Sequence, residues 1–289
     1  MCFCCNSFFA ALFLGFSFCL TLTSVKRHSV IRTQTMEDTE VEEIKNLQTE
    51  FEWVMRDEVH AILRKLREIL VECARRFPVP CFPDNEGKRT EKFVLMAAQD
   101  QLKCSVTLTG DSITQADISY KLKRTSSQVQ RTSITPDAPW KLQQVQDAAN
   151  HLQQAINHID NVDGNYAFKS REEVLQIIGE LIGALQRGRT SLLIPKKKAI
   201  DELMKGRNMK SLTPNLPEDQ AISFFLQCHK LIIAVYQLLN VQGTMKMEAT
   251  QAECSVGWLN EVLVLFTVGL TLCQQLKDKI NAFKMDVSS

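Results

Sequence analysis

Residues 217–241 read PEDQAISFFLQCHKLIIAVYQLLNV, and what they form decides the fold. Pro217, Glu218 and Asp219 have the character of a helix start. Ile222, Phe224, Phe225, Leu226, Leu231, Ile232, Ile233, Val235, Leu238 and Leu239 then cover nearly all sides of a helical wheel. An apolar helix of that kind belongs at the centre of a core. The stretch therefore predicts a long buried helix ending near Val241, with His229 a hydrogen-bonded core histidine.

Residues 242–255 read as a short polar link. Beyond it lies WLNEVLVLFTVGLTLCQQLKDKI, residues 258–280. Its uncharged part, Val262–Cys273, is shorter than the roughly 20 residues a membrane span needs. Leu259, Leu263, Phe266, Leu270, Cys273, Leu276, Ile280 and Phe283 recur every three or four residues and carry the stripe into charged sequence. That predicts a helix packed on protein rather than lipid.

The same period runs from Ile44 through Leu47, Phe51, Met55, Val59, Ile62, Leu66, Ile69 and Cys73 to Phe77, so residues 38–77 predict a first long helix, stopped by Pro78 and Pro80. Pro139 opens a second helix with the seam Leu142, Val145, Ala149, Leu152, Ile156 and Ile159. Ser170 and Glu173 form a capping box for a third, with the face Val174, Ile178, Leu181 and Leu185 and its end at Gly188. Between the first two helices the pattern changes to period two. KFVLMA, LKCSVTLTG (102–110) and DISYKLK predict strands, SSQVQRTSIT an edge strand or loop, and NYAFK (165–169) one more short strand.

These readings give an α+β fold: a long antiparallel helical bundle closed by the N- and C-terminal helices, with a small antiparallel β domain. The bundle takes residues 36–77, 139–190 and 217–286. The β domain takes 78–138 with parts of 164–169 and 242–255, and 191–216 is a basic loop.

A net charge of +1 gives no field that would draw nucleic acid or an acidic membrane. The chain has ten cysteines, four of them (Cys2, Cys4, Cys5, Cys19) in the first nineteen residues, and no CxxC pair. Reduced, mostly buried thiols fit that scatter better than a disulfide framework. Residues 1–35 form an atypical apolar leader whose basic residues, Lys26, Arg27 and Arg32, follow the apolar run. Two readings stand: a signal-anchor, or an alternative or mispredicted start upstream of Met36, where a natural helix begins.

No motif for a phosphate loop, a GxSxG nucleophile or an HExxH zinc site occurs. His151, His158 and Asp147 share a helix and are the best metal candidates, weighed against a solvated polar face. Asp57, Glu58 and His60 suggest acid–base work or a plain charged surface. Trp53, Trp140 and Tyr236 are interface anchors or core. No catalytic, cofactor or metal residue is assigned.

FEWVMRDEVHAILRKLREIL (51–70), LTGDSITQAD (108–117), PWKLQQVQDAANHLQQAI (139–156), VYQL (235–238) and the 258–280 string together resemble the Rogdi family of leucine-zipper-like proteins over roughly residues 40–284. The resemblance implies a helical bundle plus a β domain and no enzymatic activity. It implies an adaptor subunit beside large WD-repeat proteins, in the RAVE-type complex that regulates assembly of the vacuolar proton ATPase and so vesicle acidification. The V1 sector would be an indirect partner. The implied location is the cytoplasm, peripheral on endosomal and synaptic vesicles, with the nucleus and its envelope also expected. The family pattern lacks an apolar leader and has a longer segment at 240–254; if that segment supplies strands, the resemblance implies a β part here that is either incomplete or exposed at its edge. Two alternatives from other classes are a carrier with a cavity among Phe224, Phe266 and Leu270, and a coiled-coil tether anchored by residues 8–22.

Overall fold

The computed structural model describes residues 31–81, 89–97, 101–122, 128–196, 199–241 and 244–283. The expected leader lies outside them up to residue 30, so the anchor proposed at 8–22 does too. Contacts divide the chain into two units, residues 1–48 and 49–289. The described part of the first is helical, and Val41, Ile44 and Leu47 lie exposed on it.

In chain order the helices are α1 (Ile31–Trp53), α2 (Val59–Arg76), α3 (Gln143–Asp160), α4 (Arg171–Leu193), the short α5 (Ile200–Met204) and α6 (Gly257–Ala282). A π-helical turn, Val54–Glu58, joins α1 to α2. Among the described residues the strands are β1 (Thr90–Met96), β2 (Leu102–Thr109), β3 (Ser112–Tyr120), β4 (Gln130–Ile134), β5 (Trp140–Lys141), β6 (Leu212–Thr213), β7 (Gln220–Gln227), β8 (Lys230–Val241) and β9 (Thr244–Ser255). They form one antiparallel sheet ordered β6-β4-β3-β2-β1-β9-β8-β7, with β5 beside β3.

This overturns the expected architecture of a long bundle with a small β domain. The predicted helix 217–241 is the hairpin β7–β8, and the predicted polar link 242–255 supplies β9. The misreading has a physical cause. On one face Ile222, Phe224, Leu226, Leu231, Ile233 and Val235 enter the main core. On the other, Ala221, Ser223, Ile232 and Ala234 are buried as well. A strand buried on both faces loses its alternation and looks like a central helix. The break was present as the polar run Gln227–Lys230, where Cys228 takes a left-handed φ of 56°. Residues 165–169, expected as a strand, are not one; they lead into the Ser170 cap. There Ser170 Oγ accepts the Glu173 N–H at 3.3 Å, as the capping box predicted.

Four helices pack together: α2 lies against α3 and α6, and α4 lies against both of those as well. The α6 seam Leu259, Val262, Phe266, Cys273, Leu276 and Ile280 is buried, whereas Val264 and Val268 on its other side are exposed. Phe77 meets Trp258 at 5.9 Å and Phe51 meets Phe283 at 5.6 Å between ring centres, so Phe51–Phe77 runs antiparallel to α6. By length and composition α6 would also cross a membrane. Its buried seam, however, lies against α2 and α4.

The sheet has a narrow waist. β8 and β9 pair over twelve positions, from Lys230–Ser255 to Val241–Thr244. Among the described residues the register between β1 and β9 holds a single pair, Met96–Glu253.

Candidate functional site

A partly open pocket of about 410 Å³ lies beside β7. Its first wall comes from the crossover into α3. Trp140 pairs with Ile113, and the Leu142 N–H donates to Asp111 O at 2.7 Å, which fixes how α3 enters. The Trp140 ring then stands edge-on to Phe224, 5.4 Å between centres. Gln144, on the first turn of α3, donates to Ser191 O at 2.8 Å and to Leu226 O at 3.0 Å, and accepts the Leu226 N–H at 2.8 Å. One amide thus ties α3, α4 and β7 together.

The second wall is a strap formed by the described residues 194–196 and 199–211, beside the outer face of β7. Leu203 of α5 is its buried anchor, and Asn208 Nδ2 donates to Lys141 O at 3.1 Å. Ser223, Phe225, Tyr236 and Met247 lie on the sheet beneath it. Burial pushes the Tyr236 phenol up. At the mouth Lys196 Nζ lies 3.1 Å from Asp147. Burial raises the Asp147 carboxyl, but hydrogen bonds from Gln143 and Lys196 outweigh it and hold the group below the usual carboxylate range.

The metal candidates do not converge. Asp147 is held by Gln143 and Lys196, and His158 Nδ1 lies 3.3 Å from Glu180. His151 packs near Gly188 instead. Among the described residues no three His, Cys, Asp or Glu side chains come together as a metal site. The RDEVH group also separates. Asp57 pairs with Arg56 and Glu58 with Lys279, while His60 is buried with Nε2 2.8 Å from Tyr166 O and its ring against Phe168. His229, read as core, is exposed in the β7–β8 turn. Trp140 is buried, Tyr236 lines the pocket, and Trp53 is half-exposed with Lys279 Nζ 5.6 Å above its ring. The carrier cavity does not join its three residues: Phe224 lines the pocket, but Phe266 is fully buried beside Phe77 and Leu270 packs into the core. Sequence reasoning missed Gln144, Ser223, Asn208 and Met247. Their roles arise from the hairpin and the strap, which no local spacing encodes.

These features define a mixed helix-and-sheet protein whose distinctive surfaces are a pocket and long strand edges. Residues 50–285 match the family model described as Rogdi leucine zipper containing protein. The chain is 70% identical over 248 residues to "Protein rogdi" of Drosophila melanogaster, covering 86% of this chain and 92% of that protein. It is 39% identical over 266 residues to "Protein rogdi homolog" of Danio rerio (82% and 93% covered) and 36% identical over 265 residues to that of Homo sapiens (82% and 92%). The chain belongs to the Rogdi family.

Proposed function

We propose that this protein is a non-enzymatic adaptor subunit of a complex with large WD-repeat proteins, one that regulates assembly of the vacuolar proton ATPase and so vesicle acidification. Membership of the Rogdi family across residues 50–285 is the observation that carries this reading, because that family likeness is what implied the role. The surface is compatible with it. The β9 residues 246–249 are exposed, including Met247, and α6 presents Val264 and Val268. Loops and edges on a rigid scaffold are where binding residues concentrate. The reading places the protein in the cytoplasm, peripheral on endosomal or synaptic vesicles through its partners, with a share in the nucleus and at its envelope.

The test is affinity purification of the tagged full-length chain from cytosol at neutral and acidified vesicle pH. WD-repeat proteins and V1 subunits should be recovered, and vesicles from cells lacking the protein should acidify more slowly. Recovery of no WD-repeat protein, or unchanged acidification, rejects the adaptor role.

A further inference from the structure

β9 is paired along one side and open along most of the other. In an antiparallel strand successive residues turn their N–H and C=O alternately to the two neighbouring strands. The Leu238 N–H donates to Asp219 O, which leads into β7, so Gln237 and Leu239 of β8 face β9. Their register partners are Glu248 and Lys246. Met245, Met247 and Ala249 therefore turn their backbone groups away from β8. Glu253 shares that phase and meets Met96 of β1, but no described strand continues this pairing toward Thr244. Among the described residues the outward groups of Met245, Met247 and Ala249 have no hydrogen-bond partner. Residues 246–249 are exposed, Met247 at 43%. From Thr244 to Thr250 the open edge is about 20 Å long.

Such an edge pairs with another strand unless its side chains prevent it. Lys246 and Glu248 are the exposed charges here, and neither has an ion-pair partner among the described residues. They decide which register is allowed. A two-fold axis at Lys246 sets lysine against lysine, and one at Glu248 sets glutamate against glutamate. An axis at Ala249 leaves both charges unpaired. An axis at Met247 sets Lys246 of each copy against Glu248 of the other. Met247 then faces Met247, Met245 faces Ala249, and Thr244 faces Thr250. The outward residues oppose one another and exchange about six main-chain hydrogen bonds. The two Lys–Glu pairs fall at the positions between, where opposite side chains approach most closely.

We propose that the open edge of β9 is a homodimer interface, on which a second copy of this chain lays its own β9 antiparallel about a two-fold axis at Met247. A second copy is the occupant because the edge is complementary to itself, as an isologous contact requires. One strand from each copy makes a contact smaller than the roughly 800 Å² per partner of a stable interface, so the dimer forms reversibly with concentration.

The inference goes beyond the adaptor reading and is tested without it, on the purified full chain alone. Sedimentation velocity from about 1 to about 300 µM should show monomer passing into dimer, with slower amide exchange at Met247 and Ala249 as dimer forms. Lys246→Glu and Glu248→Lys each set like charges opposite one another and should each weaken the dimer about tenfold, with unchanged melting curves. An equal mixture of those two variants, or one chain carrying both changes, should restore it. Met247→Cys should form an intermolecular disulfide on mild oxidation, identified by peptide mapping, because directly opposite residues lie about 5.5 Å apart between Cα atoms. Ala249→Cys, which faces Met245, should not. A monomer across the whole range, a dimer indifferent to Lys246→Glu, or cross-linking through Ala249→Cys in place of Met247→Cys would overturn the proposal.

Discussion

A Cβ built on Gly188 would lie 2.9 Å from Phe266 Cε1 and 3.3 Å from His151 Cβ. The sequence marks this glycine as a helix end, yet α4 continues to Leu193, and the glycine is there because the Phe266 ring of α6 lies against its backbone. Gly188→Ala would gain about 1 kcal/mol in helix propensity. The overlap with a ring that is 0% exposed costs about 1–3 kcal/mol. A lowered Tm is expected in thermal denaturation, and Phe266→Leu in the same chain should restore part of it. The thiols make a second residue-level prediction. Burial raises Cys73 and Cys104, and pushes Cys81 and Cys254 up to about 11 and Cys273 to about 12. At pH 8 these five stay protonated and inert, because the thiolate is the nucleophile. Cys228 is exposed in its turn. Brief iodoacetamide treatment followed by peptide mapping should therefore find it alkylated well ahead of the other five.

At the level of elements, two attachments are open to direct test. The Tyr166 hydroxyl donates to Glu173 at 2.6 Å, and the Lys169 N–H donates to its other oxygen at 2.9 Å. The Tyr166 bond first, then the backbone bond, holds the Glu173 carboxyl below its ordinary range. A depressed carboxyl stabilises the fold above its unfolded value, and that contribution is lost as pH falls through the lower folded value. Tyr166→Phe should raise the Glu173 pKa, read by carboxyl carbon NMR, so that the helix start frays at a higher pH. Gln144→Ala removes the amide that closes β7 against α3 and α4 and strands part-buried backbone groups. About 1–3 kcal/mol of destabilisation is expected, with faster hydrogen exchange at the Leu226 amide. Elements with one wet face were legible in advance. β2 buries Leu102, Cys104, Val106 and Leu108 and leaves Lys103 and Ser105 outside, as its alternation indicated. The α3 seam from Leu142 to Ile159 is buried residue for residue. β7 and β8 were illegible because both of their faces are covered, one by the main core and one by the strap. The pocket depends on that hairpin, so it could not be read from the sequence either.

Across the whole molecule, one continuous apolar cluster links helix and sheet, from Leu66 and Leu70 of α2 through Phe266 of α6 to Leu102, Ile118 and Ile233. Residues 49–289 should therefore unfold as one cooperative body. Leu70→Ala, at a position with 0% exposure, should cost about 2–5 kcal/mol. It should also lower hydrogen-exchange protection of sheet amides such as Ile118 by the same free energy, although Ile118 belongs to another element. Separate loss of helix and sheet signals on heating would contradict this. The Met96–Glu253 pair has a mechanical consequence. Among the described residues, load applied across the strands would meet that single rung between β1 and β9, while the twelve rungs between β8 and β9 share the strain. Stretched between its two sheet halves, the molecule would yield at its waist before its hairpin tore.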